Sequence, residues 1–350
     1  MTTGARVAGG ALALMTAGLA YAAAEARWFT LRRMTVPVLP PLADPVKLLH
    51  ISDLHVTAGQ QRKAAWVAAL ARLEPDLVVT TGDNLGGPDA LPRLETALGP
   101  LLDLPGAFVF GSNDYFSSRP KNPLAYLWSR SDRTTRRRPD LPWAALRQLL
   151  LDRGWREMNN ARAVFPLAAG LVELVGLGDP HMGLDRMPTP WTVPNTPGTG
   201  SGPPLVKLGL VHAPYCAAIR ALVLDGASLV LAGHTHGGQV AVPLHGALVS
   251  NCDLPPRFAK GLHRLTSVPP QSLPPEPSAS PAGVSPGWAM PDPSWPSESP
   301  SPPAKPSTEP TMPDHQYLHV SAGLGTSPYS PIRFACRPEA SLLTLVPTNS

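Results

Sequence analysis

Cysteine and charged side chains are scarce in this chain of 350 residues. Three cysteines are too few for a disulfide-framework miniprotein or a zinc ribbon, which use even, closely spaced sets. Charged residues make up 15%, and the net charge of +4 is too small to indicate a nucleic-acid-binding protein, so no nucleic acid is expected as a partner. Proline is in excess at 45 residues, against a usual share of about 5%, which predicts that part of the chain does not fold into a core.

The N-terminal segment, residues 1–33, contains a long uncharged stretch. Residues 7–24 carry no charged side chain, and several charged residues follow between 25 and 33. At 1.5 Å per residue this is about the minimum for a bilayer core of ~30 Å, so we predict a single hydrophobic helix that anchors the protein in the cell membrane. A signal peptide cleaved near 22–24, followed by export, and a buried helix stay open as alternatives. The arginines downstream of the stretch outnumber Arg6, which favours a cytoplasmic position for the rest of the chain but does not settle the side.

From residue 46 onward, short apolar runs alternate with helical patterns. Buried strands are predicted at 46–51, 77–81, 107–110, 171–177, 205–211 and 228–232. Amphipathic helices are predicted at 64–73, 143–151 and 217–224. This alternation is typical of an α/β protein whose sheets are covered on their faces.

Three stretches interrupt the α/β domain, which we place at 46–346. Residues 130–138 form a basic loop, 187–204 a loop of proline, glycine and threonine, and 269–313 a long tract of proline and serine. Such compositions cannot build a packed core. Strand-like sequence resumes at Tyr317, so the last tract is an insertion within the domain.

The redox state of the three cysteines is open at this stage. Cys252 and Cys336 could pair if the domain is exported, while Cys216 lies close to His212 in the sequence. Nothing in their spacing demands a disulfide, so free thiols are the expectation.

The predicted strands end in polar residues of one kind. These are Asp53-Leu54-His55, Gly82-Asp83-Asn84, Gly111-Ser112-Asn113-Asp114, His212 and Gly233-His234-Thr235-His236-Gly237-Gly238. Because sites are built at the carboxyl ends of strands in an open α/β sheet, the pattern gathers two aspartates, four histidines and one or two amide or hydroxyl oxygens at one edge. Mixed imidazole and carboxylate ligands suit zinc, manganese or iron better than calcium or magnesium. We therefore expect two divalent metal ions, which together can activate a bridging hydroxide and clamp a phosphoryl group.

These motifs resemble those of calcineurin-like metallophosphoesterases, and more narrowly the membrane-associated bacterial branch of YkuE-like phosphoesterases. The resemblance covers about 46–346 outside the three loops, and it implies a four-layer α/β/β/α sandwich around a dinuclear metal centre. By position it implies that one metal is held by Asp53, His55 and His236, that Asp83 bridges both, and that the second is held by His212, His234 and an oxygen of the Gly111 loop.

The Gly111 loop departs from the family pattern, which is Gly-Asn-His followed by Asp or Glu. In strict register Ser112 replaces the asparagine ligand and Asn113 replaces the catalytic histidine. A shift of one residue makes Asn113 the ligand, which we favour because an amide oxygen is a better donor than a neutral hydroxyl. The histidine is missing in either register, and asparagine cannot act as a general acid.

Three residues are candidates for the catalytic part of the site. Asn113 can hydrogen-bond a phosphoryl oxygen, and Asp114 occupies the acidic position of the same motif. His181, in Gly178-Asp179-Pro180-His181, is the candidate for supplying the missing proton. An ordinary turn histidine is its alternative interpretation.

Together these features predict a metal-dependent phosphoric ester hydrolase, in which a metal-bridged hydroxide attacks the phosphorus of a phosphoester or pyrophosphate. The predicted anchor and the resemblance favour a lipid-linked substrate, with a nucleotide phosphodiesterase as the runner-up. A catalytically weak metal-binding scaffold of the same fold is the rival from a different class. The altered Gly111 loop favours that scaffold, and the complete set of histidines opposes it.

Overall fold

The computed structural model describes residues 3–118, 138–190, 203–243, 245–266, 316–326 and 329–348. The predicted proline-rich insertion at 269–313 lies outside the described residues. So do most of the loop at 187–204 and all but the last residue of the basic loop at 130–138.

Helices and strands alternate along most of the described chain. The helices are α1 (Thr3–Glu25), α2 (Gln61–Ala68), α3 (Leu91–Leu98), α4 (Ser112–Tyr115), α5 (Trp143–Asp152) and α6 (Cys216–Leu224). The first strands are β1 (Thr30–Leu39), β2 (Val46–Ile51), β3 (Leu77–Thr80), β4 (Gly106–Phe108), β5 (Arg156–Glu157), β6 (Ala161–Leu167) and β7 (Gly170–Gly176). The remaining strands are β8 (Val206–Leu210), β9 (Leu229–Ala232), β10 (Ala241–Val242), β11 (Gly246–Ala247), β12 (Gly261–Leu265), β13 (Gln316–Val320) and β14 (Glu339–Pro347).

Apart from the short pair β10 and β11, the strands of the described residues form two six-stranded mixed sheets. The first has the order β1-β14-β2-β3-β4-β5 and is parallel except where β14 meets β2. The second has the order β12-β13-β9-β8-β7-β6 and is antiparallel only at its two ends. The parallel centre of each sheet brings the carboxyl ends of its strands to one edge.

Alternation along each strand sorts its side chains into separate apolar layers. On β2, Leu48 faces the layer between the two sheets, while Leu49 and Ile51 face the layer under α2, α3 and α5. A third layer packs the outer face of the second sheet against α6. The expected α/β/β/α sandwich is therefore confirmed, because both sheets are covered by helices and pack on each other.

Helix α1 precedes the sandwich and touches it only near its end. From residue 10 to residue 20 every side chain is exposed, whereas Ala22 and Glu25 are buried. Within the part of the chain that the structure describes, no helix combines the length and apolarity needed to cross a membrane. The anchor over 7–24 stays a prediction.

The cysteines are free thiols, as expected, and the pairing of Cys252 with Cys336 that export would allow is not formed. Cys336 is buried and lies against the backbone of His236 and Gly237, with its Sγ 3.4 Å from each carbonyl oxygen. This thiol therefore supports one of the loops that form the candidate site.

Candidate metal centre

The predicted ligands lie at the carboxyl ends of neighbouring parallel strands. Asp53 and His55 follow β2, Asp83 follows β3, and His212 follows β8. The loop after β9 contributes His234 and His236. Because the strands are parallel, their ends converge, and residues far apart in sequence meet there.

Five of these six aspartates and histidines adopt left-handed backbone conformations. Their φ angles are 49° at Asp53, 40° at His55, 55° at Asp83, 67° at His234 and 50° at His236. Such conformations cost about 1–3 kcal/mol each and persist where the surroundings enforce them, as at functional sites. Here these conformations accompany side chains from three loops that converge on the ligand cluster.

The first group of ligand atoms comprises Asp53, His55 and His236, which are all buried. His55 Nε2 lies 3.3 Å from His236 Nε2, and His236 Nε2 lies 3.7 Å from Asp53 Oδ1. Asp83 Oδ2 lies 3.6 Å from His55 Nε2. Two imidazoles and two carboxylates thus face one small space.

The second group comprises Asp53, Asp83 and His212. His212 Nε2 lies 3.5 Å from Asp83 Oδ1, the oxygen opposite the one that faces His55. Asp83 therefore presents one oxygen to each group, which is the arrangement of a bridging carboxylate. His234 belongs to neither group, but its ring centroid lies 5.1 Å from that of His212.

The state of the histidine nitrogens fits a metal centre. His212 Nδ1 is 2.7 Å from the carbonyl oxygen of Thr81, which can only accept, so Nδ1 bears the hydrogen. Burial opposes ionisation of His212, but Asp83 outweighs it and raises the pKa of His212 well above its ordinary value; Nε2 is buried without a hydrogen-bond partner among the described residues. A metal ion bound at Nε2 would take the place of its proton, while the hydrogen bond from Nδ1 to Thr81 holds the ring in the orientation of a metal ligand.

Burial controls the electrostatics of the site. It lowers the pKa of His55 to about 4 and holds the pKa of His234 and His236 well below the ordinary value, so these rings are neutral at pH 7. Burial also opposes ionisation of Asp83, but the neighbouring His212 outweighs it and holds the pKa of Asp83 well below its usual range. These three neutral imidazoles and the ionised Asp83 are in the protonation states that bind divalent metals, whereas His212 would give up a proton on binding.

At two positions beside the ligands, only glycine fits because any side chain would collide with a neighbour. A Cβ on Gly111 would collide with Asp83 Oδ1 and the ring of His212. A Cβ on Gly233 would collide with Ser52 Oγ and Asp53 Oδ2. Both glycines therefore let backbone approach the ligand carboxylates closely.

Ser112 and Asn113, the two candidate ligands of the altered Gly111 motif, differ in their contacts with Asp83. Asn113 donates from its backbone N–H to Asp83 Oδ1 and from its side-chain Nδ2 to Asp83 Oδ2, each at 2.7 Å. Ser112 is half-buried and begins the short helix α4. Asn113 is thus the residue of this pair whose side chain contacts the predicted bridging carboxylate.

Asp114 is fully buried and organises the backbone around the site. Its carboxylate accepts N–H groups from Asp83 at 2.8 Å, Asn84 at 2.7 Å and Gly111 at 3.0 Å. Burial and the charge of Asp83 raise the pKa of Asp114 to about 7, although the hydrogen bonds from the backbone of Gly111 and Asn84 lower it. Asp114 therefore joins the β3 loop to the β4 loop and does not itself face the ligand cluster.

His181 lies beside the second group of ligands. Its ring centroid is 4.8 Å from that of His234, and its Nδ1 is 3.0 Å from the hydroxyl of Tyr215. Asp179 accepts the backbone N–H of His181 at 2.8 Å and holds the turn. Geometry therefore brings this sequence-predicted residue to the site.

Other residues at the site gave no signal in the sequence. Arg333 is fully buried and donates to the carbonyl oxygens of His236, Ala322, Gly323 and Gly325. Lys63 is buried and donates to the carbonyl oxygen of Leu54, between two predicted ligands. Both side chains hold the backbone of loops outside their own segment of the chain. No short motif therefore surrounds either residue that could have identified it.

Family comparison agrees with the fold and the geometry. Residues 46–238, more than half of the chain, match the family described as calcineurin-like phosphoesterase, and the chain belongs to that family. The resemblance seen in the motifs is confirmed.

Three relatives are similar to this chain over much of its length. The bovine "Transmembrane protein with metallophosphoesterase domain" is 28% identical over 252 residues, which cover 67% of this chain and 49% of that protein. This chain therefore matches only about half the length of the bovine relative. Phosphodiesterase YaeI of Escherichia coli K12 is 27% identical over 63% of this chain and 72% of its own. The uncharacterized metallophosphoesterase YkuE of Bacillus subtilis 168 is 23% identical over 89% of this chain and 83% of its own.

Replacing Asp114 with asparagine should destabilise the fold. An amide in either orientation turns its NH₂ group toward a backbone N–H that the carboxylate now accepts, so Asp114→Asn should lower the free energy of unfolding by about 1–3 kcal/mol. Urea denaturation measures this loss. Asp103→Asn, whose side chain is 75% exposed, is the matched control, and equal stability of the two variants would refute the role given to Asp114.

Proposed function

We propose that this protein is a metal-dependent phosphoesterase with a centre for two divalent metal ions, of which manganese, zinc and iron suit the ligands best. The observation that supports it most strongly is Asp83, a buried carboxylate with one oxygen toward His55 and the other toward His212. The proposed ligands of the first metal are Asp53, His55, Asp83 and His236. Those of the second are Asp83, His212, His234 and Asn113, with Ser112 as the alternative to Asn113.

Two ions bound there would supply an activated water nucleophile and neutralise charge on the phosphoryl group. The chain's own residues orient the substrate around that centre. Asn113 already lies against Asp83, and its carboxamide, rotated by half a turn, presents Oδ1 in place of Nδ2. Its amide can thus provide an oxygen ligand or hydrogen-bond a phosphoryl oxygen.

The proton for the leaving group needs a source other than Asn113. His181 is the candidate, because it lies beside His234 and its ring is oriented by Tyr215. In this proposal His181 gives a proton to the leaving oxygen, while Asp114 holds the loops that carry Asp83 and Asn113 together through the backbone N–H groups of Asp83, Asn84 and Gly111. Substrates with good leaving groups need this proton least.

Metal content and hydrolysis of bis(p-nitrophenyl) phosphate test the proposed activity together. We expect about two equivalents of metal per chain and turnover in added manganese. His212→Ala should reduce turnover by about 100-fold or more, because even outer-shell substitutions cost about 10–100-fold.

The exposed His245→Ala is the matched control and should keep wild-type turnover. Bound metal without turnover on any phosphoester would favour the alternative of a catalytically weak metal-binding scaffold. That alternative is favoured by the absence of a histidine at Asn113. A chain that binds no metal would refute both.

Restoring a histidine at position 113 tests the missing general acid. In the register in which Ser112 is the metal ligand, Asn113→His should raise kcat on phenyl phosphoesters by about 10-fold or more, a part of the ~10²–10⁴-fold that a general acid supplies. Turnover of p-nitrophenyl esters should change much less, because that leaving group needs no proton. His181→Gln should act in the opposite direction on the phenyl esters, and unchanged kcat in both variants would contradict the account.

Membrane association is a further part of the proposal, with a lipid-linked phosphoester as the preferred substrate and soluble nucleotides as the alternative. The exposed apolar side chains of α1 support it, among them Leu12, Met15 and Leu19 at 67%, 67% and 58% exposure. Trp28, with the guanidinium of Arg337 3.6 Å over its ring, provides an aromatic and basic group at the end of that helix, as at membrane interfaces.

The end of α1 also lies close to the proposed centre. The backbone N–H of Arg333 donates to the carbonyl oxygen of Ala22, and that of Ala335 donates to Glu25 Oε2. Arg333 in turn donates to the carbonyl oxygen of His236. A membrane bound by α1 would therefore lie near the site, which favours a substrate held in that membrane.

Flotation with vesicles of phosphatidylglycerol and phosphatidylethanolamine tests this contact. The full chain should float with the vesicles, and a triple variant carrying Leu12→Ser, Met15→Ser and Leu19→Ser should remain largely at the bottom of the gradient. Leu42→Ser, at a residue 99% exposed outside α1, is the matched control. Equal flotation of the triple variant and the control would contradict membrane binding through α1.

A further inference from the structure

A line of hydrogen bonds crosses from the second sheet to a proposed metal ligand in the first. His319 Nδ1 lies 2.9 Å from His50 Nδ1, and His50 Nε2 lies 2.9 Å from Thr81 Oγ1. Thr81 Oγ1 donates to Ser52 Oγ at 2.7 Å, and Ser52 Oγ donates to Asp53 Oδ2 at 2.6 Å. All five residues are fully buried.

The two histidines of this line are polar groups in a mostly apolar layer. His50 shares the inner side of β2 with Val46 and Leu48, which pack between the sheets. His319 lies on β13 of the opposite sheet, where Leu318 and Val320 face the outer layer instead. Polar groups buried in this way cost free energy unless they are paired, so a histidine pair across the two sheets needs a reason.

The proton order along the line follows from its last member. Ser52 Oγ donates to Asp53 Oδ2, so the single hydroxyl hydrogen of Ser52 is committed to Asp53. Ser52 Oγ must then accept from Thr81, because otherwise two oxygens 2.7 Å apart would have no hydrogen between them. Thr81 Oγ1 has then used its hydrogen and must accept from His50 Nε2.

The order continues through both imidazoles. Burial holds the pKa of His50 well below its ordinary value and lowers the pKa of His319 to about 3, so each ring carries one hydrogen. With its hydrogen on Nε2, His50 accepts at Nδ1, and His319 must donate from Nδ1. This leaves His319 Nε2 without a hydrogen, and that nitrogen is the one with no partner among the described residues.

We infer that His319 and His50 are positioning residues that orient Asp53 for metal binding through Thr81 and Ser52. Every donor in the line is directed toward Asp53 Oδ2. Ser52 holds that oxygen, and the backbone N–H of His234 lies 3.0 Å from it and 3.1 Å from Oδ1. Asp53 Oδ1 is therefore the oxygen turned toward His236. The carbonyl oxygen of Thr81 also accepts the hydrogen bond from His212 Nδ1. Thr81 therefore helps to orient Asp53, a proposed ligand of the first metal, and His212, a proposed ligand of the second.

The proton order can be measured in the full chain without metal, activity or substrate. Long-range ¹H–¹⁵N spectra of protein labelled with ¹⁵N-histidine report which ring nitrogen bears the hydrogen. At pH 7.5 we expect His50 with its hydrogen on Nε2 and His319 with its hydrogen on Nδ1, with signals assigned from His50→Gln and His319→Asn. The reverse tautomer on either ring, or a doubly protonated ring, would overturn the inferred order.

Ser52→Ala provides a directional control for these spectra. Without the Ser52 hydroxyl, Thr81 can donate to His50 Nε2, and both rings can then take the opposite tautomer. We expect the single tautomer of each ring to be lost in this variant. Unchanged spectra would show that Asp53 does not impose the order.

Metal affinity tests the positioning role, which rests on the proposed metal centre. His319→Phe removes the first donor and should weaken manganese binding by about 10–100-fold in titrations against a chelator. His319→Asn, which keeps a donor near the Nδ1 position, should recover most of that loss. His245→Phe, at an exposed histidine outside the line, is the control and should bind as wild type.

The outcomes separate the inference from the proposed function. Predicted tautomers with equal manganese affinity in His319→Phe and the control would overturn the positioning role alone. A wild-type chain that binds no manganese would overturn the proposed function and the positioning role with it, while the spectra would still decide the proton order.

Discussion

A carboxylate sealed from water is the constraint around which this site is built. Asp83 is buried between two imidazoles, with one oxygen toward His55 and the other toward His212, and the amide groups of Asn113 donate to both oxygens. An ionised group in that position is costly unless cations or donors surround it. The left-handed ligand residues, the bare Gly111 and the buried Asp114 all serve to keep those neighbours in place. Two divalent ions would satisfy the same need.

The sandwich provides this constraint with a rigid frame. Parallel strands from both sheets end at one edge, so ligands from five loops meet without any long flexible arm. The hydrogen-bonded line from His319 to Asp53 connects the site to the layer between the sheets. Arg333 connects it to the end of α1, because its side chain donates to His236 and its backbone N–H donates to Ala22. Orientation of the ligands is therefore a property of the packed core as well as of the loops, and the proposed membrane contact lies close to it.

Local patterns in the sequence predict the centre of the fold well and its edges poorly. Strand β2 has the predicted bounds, because a continuous apolar run between polar residues marks a doubly covered strand. The edge strand β1 was not predicted, since it is half exposed and its partner β14 lies some 300 residues away in the sequence. Asp53, Asp83 and the histidines are visible as motifs. The buried Arg333 and His319 are not, because their roles depend on contacts across the two sheets and across a long insertion.

Anomalous diffraction from crystals grown with manganese tests the central claim most directly, since it locates each ion without any assumption about substrate. Data recorded on both sides of the manganese absorption edge should show two peaks about 3.5–4 Å apart. One peak should lie among Asp53, His55 and His236, the other beside His212, with Asp83 between them. A single peak, or peaks away from Asp83, would contradict a dinuclear centre built around that carboxylate.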